Sequence, residues 1–167
     1  MAMLQIIKYP NKILKTKTVP VHGLTSEVKK LISDMIETMY ANGGIGLAAN
    51  QVGKNLSIAV CDVSQNKKSP MVFINPVITE KKGKIIEEEG CLSFPNIILE
   101  LKRASSIKVK ALNNKGKPFA IEAEEILSRV IQHELEHLQG KAFIDNLPVI
   151  KRLMVCREIN KNRKKEY

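Results

Sequence analysis

Two histidines separated by three residues are the strongest chemical signal in the chain. His133 and His137 flank Glu134 in the segment HELEH. On an α-helix, residues i and i+4 lie on one face, so both imidazoles can reach one metal ion. Glu134 would then lie beside the ion without binding it, a position suited to taking a proton from activated water. The spacing predicts a hydrolytic metal site, provided that this segment is helical.

A catalytic metal commonly has three protein ligands, so a third ligand is needed. No histidine follows His137. The carboxylate of Glu158, further along the chain, remains an alternative third ligand. Cys91 is the better candidate, because it follows a glycine in a turn-like segment and thiolate binds zinc or ferrous iron strongly. Cys61 and Cys156 fit the commoner pattern of a small, buried apolar residue.

Apolar spacing predicts the helices that must position these residues. The HELEH segment falls in a helix from about Glu125 to Gln139, which Gly140 ends. An N-terminal helix begins after a cap at Thr25 or Ser26 and ends at residues 42–44. A basic C-terminal helix is expected from about 148 to 163, with its apolar positions near its start: Val149, Ile150, Leu153, Met154 and Cys156.

Short runs of β-forming residues predict strands between the first two helices. These runs are residues 56–63, 71–78, 107–112 and 119–123. The glycine-rich segment 44–53 predicts a loop. The order of elements indicates an α+β fold, with short, mostly antiparallel strands around a central metal-binding helix, plus an N-terminal and a C-terminal helix. We expect residues 1–167 to form a single catalytic domain.

Composition restricts where the protein acts. Three widely spaced cysteines argue against a disulfide framework. No run approaches the roughly 18 apolar residues of a membrane span, and the first ten residues resemble no signal peptide. We therefore expect a cytoplasmic protein without a membrane partner. The formal net charge is +10, and residues 151–167 contribute seven basic and two acidic side chains. A polyanion such as RNA could bind this tail, although a solvated, frayed helix is the simpler interpretation.

Three segments in order resemble the signature motifs of peptide deformylases. They are GIGLAANQ at 44–51, EGCLS at 89–93 and QHELEHL at 132–138, and the similarity extends over nearly the whole chain. The resemblance implies hydrolysis of the N-terminal formyl group of formyl-methionyl nascent chains, releasing formate. It assigns the metal to Cys91, His133 and His137. In this family the metal is typically Fe²⁺, with Zn²⁺ or Ni²⁺ as substitutes.

The resemblance also assigns roles around the metal. Glu134 would be the general base and then the acid that protonates the leaving amine. Gln51 and the backbone N–H of Leu92 would stabilise the oxyanion. Ile45 and Gly46 would line the substrate channel, with the backbone of Gly46 pairing to the peptide. Related enzymes dock on the ribosome through the C-terminal helix, so we expect a ribosome contact there. We also expect a monomer.

Three positions depart from the usual family pattern. Glu136 stands where aspartate is usual, which could shift a contact to Arg103. Ile98 replaces an arginine that often helps to hold the peptide, and Glu125 replaces a common glycine. These departures motivate an alternative, a deformylase-like N-acyl-peptide hydrolase with altered specificity. A second alternative, a basic RNA-binding protein whose metal is structural, predicts that Glu134 is dispensable.

Overall fold

The computed structural model describes residues 2–163 and shows three helices and seven strands among them. The charged tail residues Lys164, Lys165 and Glu166 lie outside the described residues. The helices are α1 (Ser26–Ala41), α2 (Glu125–Leu138) and α3 (Val149–Arg163). The strands are β1 (Gly46–Ala48), β2 (Ile58–Cys61), β3 (Met71–Lys82), β4 (Ile85–Cys91), β5 (Phe94–Arg103), β6 (Ser106–Leu112) and β7 (Pro118–Glu124).

A five-stranded antiparallel sheet in the order β1-β2-β3-β6-β7 forms the centre of the fold. The four residues of β2 are all buried, because helices cover both faces of the sheet at this strand. Ile58 and Val60 pack in the cluster of α1, while Ala59 and Cys61 pack in the cluster of α2. Side chains alternate between the faces of a strand, so one continuous apolar run serves both clusters.

Helix α1 matches the sequence prediction closely. The Thr25 hydroxyl accepts a hydrogen bond from the Val28 N–H, which caps the first turn. Met35 and Met39, one turn apart, are fully buried against the sheet. After Asn42, Gly43 adopts a φ of 68°, a left-handed conformation that glycine accepts readily. The caps therefore set the ends of the helix where the sequence places them.

Helix α2 lies against the opposite face of the sheet. Its apolar residues Val130, Ile131, Leu135 and Leu138 pack on β-strand residues that include Phe73. The helix spans Glu125–Leu138, against a predicted range of about 125 to 139. The apolar stripe holds the helix against the sheet and so fixes its rotation about its own axis. This rotation sets the direction in which His133 and His137, both buried, point.

A second, two-stranded sheet was not predicted from the sequence. Strands β4 and β5 form an antiparallel hairpin that contains the EGCLS segment. Phe94, Ile97 and Leu101 of β5 pack against Phe143 and Ile144 of a 3₁₀ turn that follows α2 (Phe143–Asn146). The expected loop at 44–53 also contains strand β1 and a 3₁₀ turn (Ala49–Val52). Strand β4 carries three consecutive glutamates, Glu87, Glu88 and Glu89, which obscure its β pattern.

Helix α3 has the predicted extent, but most of the apolar residues at its start are not the ones that it buries. Val155, Cys156 and Ile159 pack towards the hairpin cluster. Four apolar side chains at the start of the helix point instead to solvent, with exposed fractions of 54–74%. They are Val149, Ile150, Leu153 and Met154. The sequence therefore placed the helix correctly, whereas most of the apolar residues at its start do not belong to the face that packs on the protein.

The first position of α2 stores backbone strain. Glu125, which replaces a common family glycine, has a φ of 50°, whereas its neighbour Glu124 has a φ of −124°. A left-handed conformation costs a residue with a Cβ atom about 1–2 kcal/mol, and glycine avoids that cost. We expect Glu125→Gly to raise the free energy of unfolding by about 0.5–1 kcal/mol, after losing a favourable charge at the helix N-terminus. Urea unfolding measures this change.

Glu124→Gly is the matched control for this substitution. Its extended backbone gains nothing from glycine, so the free energy of unfolding should stay unchanged or fall. Equal stabilisation by both variants would contradict the assignment of strain to Glu125.

Candidate metal centre and substrate cleft

The three predicted ligands come together in space. The ligand atoms of Cys91, His133 and His137 all lie within 4.8 Å of one another, and Cys91 Sγ is 3.2 Å from His137 Nε2. The two histidines lie one turn apart on α2, while Cys91 ends strand β4. The hairpin thus places the thiol beside two buried imidazoles that the helix holds in position.

The residues present fit a divalent metal ion. Burial, followed by the neighbouring His133, lowers the pKa of His137 well below its ordinary value. His137 is therefore neutral, which is the form that binds metals. Burial also lowers the pKa of His133, but hydrogen bonding to Cys91 and Glu89 outweighs it and raises the pKa. Groups that stabilise a cation on this imidazole also stabilise a metal cation bound there.

Glu134 lies next to the cluster as a buried carboxyl group. Its side chain is only 5% exposed, and Oε2 has no hydrogen-bond partner among residues 2–163. Burial raises the pKa of Glu134 to about 7, against opposing effects of His133 and Arg103. A buried carboxyl group without a partner is costly, so its presence beside the three candidate ligands points to a chemical role.

Two side-chain amides, of Asn50 and Gln51, come from the segment after β1 and contact residues of the Cys91, His133 and His137 cluster. Gln51 Nε2 donates to Ser93 Oγ at 3.2 Å and points at Cys91 Sγ at 3.5 Å, while Gln51 Oε1 accepts from the Ala48 N–H at 2.8 Å. Asn50 Nδ2 donates to the carbonyl oxygen of His137. The first contacts orient the Gln51 amide with its donor group towards the thiol.

Leu92 occupies the turn between β4 and β5. Its carbonyl oxygen accepts a hydrogen bond from Lys8 Nζ at 2.6 Å, and the next carbonyl, of Ser93, accepts from the Tyr9 N–H at 2.9 Å. The N-terminal segment therefore holds this turn beside the ligand cluster.

A cleft of about 730 Å³ leads to the cluster. Its walls contain Ile45 and Gly46 on one side and the hairpin, including Ile98, on the other. Strand β1 is an edge of the five-stranded sheet, so its backbone can pair with a further strand. A Cβ atom at Gly46 would collide with the carboxylate of Glu134, so only glycine leaves room there.

Of the three departures from the family pattern, only Ile98 lines the cleft, where its side chain is 67% exposed. Glu136 lies behind the metal centre and contacts Arg103, as the sequence suggested. The downstream alternative ligand, Glu158, is exposed on α3 and is not part of the cluster found among residues 2–163.

A buried ion pair behind His133 was missed by sequence reasoning. Glu89 accepts hydrogen bonds from Arg103 Nε and Nη2, both at 2.8 Å, and from His133 Nδ1 at 3.0 Å. Burial raises the pKa of Glu89, but the bonds from Arg103 and His133 outweigh it and lower the pKa to about 2. The available signal was the position of Glu89 in the EGCLS segment, two residues before Cys91.

The ion pair fixes the metal centre from behind. A carboxylate that accepts Nδ1–H leaves Nε2 of the imidazole free to bind a metal and sets the orientation of the ring. A Cys-His-His cluster beside an unpartnered carboxyl group, at the end of a cleft with an edge strand, defines a metal-dependent hydrolase that acts on an extended peptide.

Comparisons with known proteins identify the family. The family described as polypeptide deformylase matches residues 3–153. The peptide deformylase of Pseudoalteromonas translucida is 44% identical over 164 residues, which cover 98% of each chain. The crystal structure of a peptide deformylase from Legionella pneumophila has a TM-score of 0.93 and 39% identity, covering 99% of this chain and 98% of that one. The chain belongs to the polypeptide deformylase family.

A further solved relative carries a bound molecule. The peptide deformylase from Ehrlichia chaffeensis in complex with actinonin has a TM-score of 0.92 and 36% identity, with 99% of both chains covered. The three segments GIGLAANQ, EGCLS and QHELEHL thus lie within a fold that matches each of these two solved relatives over 99% of this chain.

Removal of the Arg103 side chain should strongly lower the free energy of unfolding. Its replacement by alanine removes the close guanidinium contacts of Glu89 and Glu136, and it leaves the buried Glu89 with only the more distant guanidinium of Arg129, whose Nε lies at 3.8 Å. We expect Arg103→Ala to lower the free energy of unfolding by about 3 kcal/mol, because an unpaired charge would remain buried. Urea unfolding of the metal-free protein measures this loss.

Lys108→Ala provides the control, because it breaks an exposed ion pair with Glu80. Such pairs contribute about 0–1 kcal/mol. If the two variants lost similar stability, the buried ion pair would not have the structural role described here.

Proposed function

We propose that this chain removes the formyl group from formyl-methionyl nascent polypeptides at the cluster of Cys91, His133 and His137. Family membership establishes the deformylase activity, and the residue roles are our assignment. The observation that carries the assignment is the unpartnered carboxyl group of Glu134 beside this cluster, at the end of a cleft. We also propose that residues 1–167 act as one catalytic domain.

The thiolate of Cys91 and the imidazoles of His133 and His137 would hold one divalent ion. When bound, the ion supplies a Lewis acid that polarises the formyl group and makes water a competent nucleophile near neutral pH. We propose Fe²⁺ as the ion in the cell, with Zn²⁺ or Ni²⁺ able to substitute, because one thiolate and two imidazoles suit each of them.

Glu134 would move the proton. Its carboxylate takes a proton from the attacking water as the new C–O bond forms. The same proton then passes to the peptide nitrogen as the C–N bond breaks, which releases formate and a free N-terminal amine. The absence of a hydrogen-bond partner for Oε2 among the described residues supports this role, because the atom is available to the reacting molecule.

Gln51 and Leu92 would stabilise the charge that develops on the formyl oxygen. The Gln51 amide is buried and held by Ser93 and Ala48 with its donor group on the side of Cys91. A donor fixed in advance costs little reorganisation during the reaction. The N–H of Leu92, in the adjacent turn, would supply the second donor.

Ile45 and Gly46 would bind the substrate backbone. Edge strand β1 can extend the sheet by pairing with the peptide, which places the formyl end towards the cluster. We propose that actinonin, which was found bound to the Ehrlichia chaffeensis protein, binds in this cleft as well.

The test compares formyl-Met-Ala-Ser and acetyl-Met-Ala-Ser as substrates of iron-loaded, anaerobically prepared protein. We expect the formyl peptide to react at least about 10²-fold faster. We expect Glu134→Gln to lower kcat by about 10²–10⁴-fold while its metal content stays unchanged, because the proton transfer is lost.

Glu100→Gln, at an exposed position on β5, is the matched control and should retain full activity. Equal or reversed preference for the acetyl peptide would favour the alternative hydrolase with altered specificity. Full activity of metal-loaded Glu134→Gln would contradict the role of Glu134 and favour a structural metal.

A ribosome contact through α3 is a second proposal. The helix exposes Lys151, Arg157 and Lys161 together with an apolar surface at its start. Basic side chains attract RNA phosphates, and exposed apolar residues suit a protein surface beside them. Because nascent chains are the substrate, we propose that the protein makes this contact in the cytoplasm. That the protein is a monomer stays a prediction. No helix among residues 2–163 is long and apolar enough to cross a membrane.

Ribosome affinity should fall steeply as the salt concentration rises. We expect the triple variant Lys151→Ala, Arg157→Ala and Lys161→Ala to bind ribosomes more weakly and with a smaller salt dependence, because fewer phosphate charges are neutralised. Co-sedimentation at several salt concentrations measures both quantities.

The control replaces three exposed lysines away from α3, Lys84, Lys115 and Lys117, by alanine. An equal loss of affinity in both triple variants would show a non-specific charge effect and contradict docking through α3.

A further inference from the structure

The Glu136 side chain lies behind the metal centre, where its carboxylate accepts hydrogen bonds from two different residues. Its Oε1 accepts a hydrogen bond from Arg103 Nη1 at 2.6 Å. Asn146 Nδ2 lies 3.2 Å from the same oxygen and 3.0 Å from Oε2. The carboxylate is therefore held between a buried guanidinium and an exposed amide.

Asn146 reaches this carboxylate from a separate part of the fold. It is the last residue of the 3₁₀ turn Phe143–Asn146, whose Phe143 and Ile144 are anchored in the hairpin cluster. The amide is thus carried by a segment with a fixed position, and it can hold the carboxylate in one orientation. Arg103, in turn, donates to Glu89, which accepts from His133 Nδ1.

We propose that Asn146 is a positioning residue for the metal centre, which holds Glu136 against Arg103 and so fixes Glu89 and the imidazole of His133. The chain of hydrogen bonds is continuous from Asn146 to Nδ1 of His133. Outer hydrogen-bond partners of this kind orient a ligand and strengthen its metal affinity. The inference rests on the proposed metal ligands.

The length of Glu136 makes this arrangement possible. An aspartate at this position would be shorter by one methylene group, about 1.5 Å of reach. A carboxylate on the shorter side chain cannot contact Arg103 and Asn146 together without movement of the backbone. The glutamate and Asn146 therefore form one functional pair in this chain, and the effect of each should depend on the other.

The experiment measures Co²⁺ and Zn²⁺ dissociation constants by chelator competition, together with the Co²⁺ absorption spectrum. It uses the full chain and four proteins: wild type, Asn146→Ala, Glu136→Asp and the double variant. We expect Asn146→Ala to raise the dissociation constants about 3–10-fold, at or below the usual range for outer partners, because the amide acts on His133 through three intervening residues. Its Co²⁺ spectrum should also change, while the thermal midpoint of the metal-free protein shifts by less than about 2 °C.

In the Glu136→Asp background, Asn146→Ala should leave the dissociation constants unchanged, because the shorter side chain no longer joins the amide to Arg103. Asn114→Ala, at an exposed position in the β6–β7 turn, is the control and should match the wild type.

Two results would overturn the proposal. One is an Asn146→Ala variant with wild-type dissociation constants and spectrum. The other is an equal effect of Asn146→Ala in both backgrounds, which would show that the amide acts independently of Glu136. A wild-type protein that binds neither ion would overturn the proposed metal site itself, and with it this inference.

Discussion

A buried ion pair between Glu89 and Arg103 connects the two halves of the metal centre. Glu89 lies on β4, two residues before Cys91, and it also accepts a hydrogen bond from His133 on α2. The same carboxylate therefore fixes the strand that supplies the thiol and the helix that supplies the imidazoles. Such a pair contributes little net stability compared with apolar packing, so its value lies in the geometry that it specifies.

Three apolar clusters hold the elements that carry the site. One holds α1 and β1, a second holds α2 against the sheet, and a third holds the hairpin against the 3₁₀ turn and α3. Each cluster contributes separate groups to the site: the edge strand, the histidines with Glu134, and the thiol. Because rigid packing surrounds the centre, the burial of Glu134 can be maintained without a partner among residues 2–163.

The sequence was most informative where the chemistry is local. The HELEH spacing and the apolar stripe of α2 predicted the helix and the placement of His133 and His137 one turn apart on it, since this periodicity is a property of the chain itself. The hairpin was missed, because β4 carries three consecutive glutamates and gains its partners only in the fold. The buried face of α3 could not be predicted either. The residues that it buries are those that pack on the hairpin cluster, and the pattern of the helix itself does not show them.

The position of α2 along the chain affects the order in which a new copy matures. Cys91 and His133 are far apart in sequence, and the strand pairs between them must form before the thiol meets the imidazoles. Cotranslational assembly of the site therefore has to wait until α2 has been synthesised and has left the exit tunnel. Early processing of emerging proteins thus depends on enzyme molecules completed in previous rounds of synthesis.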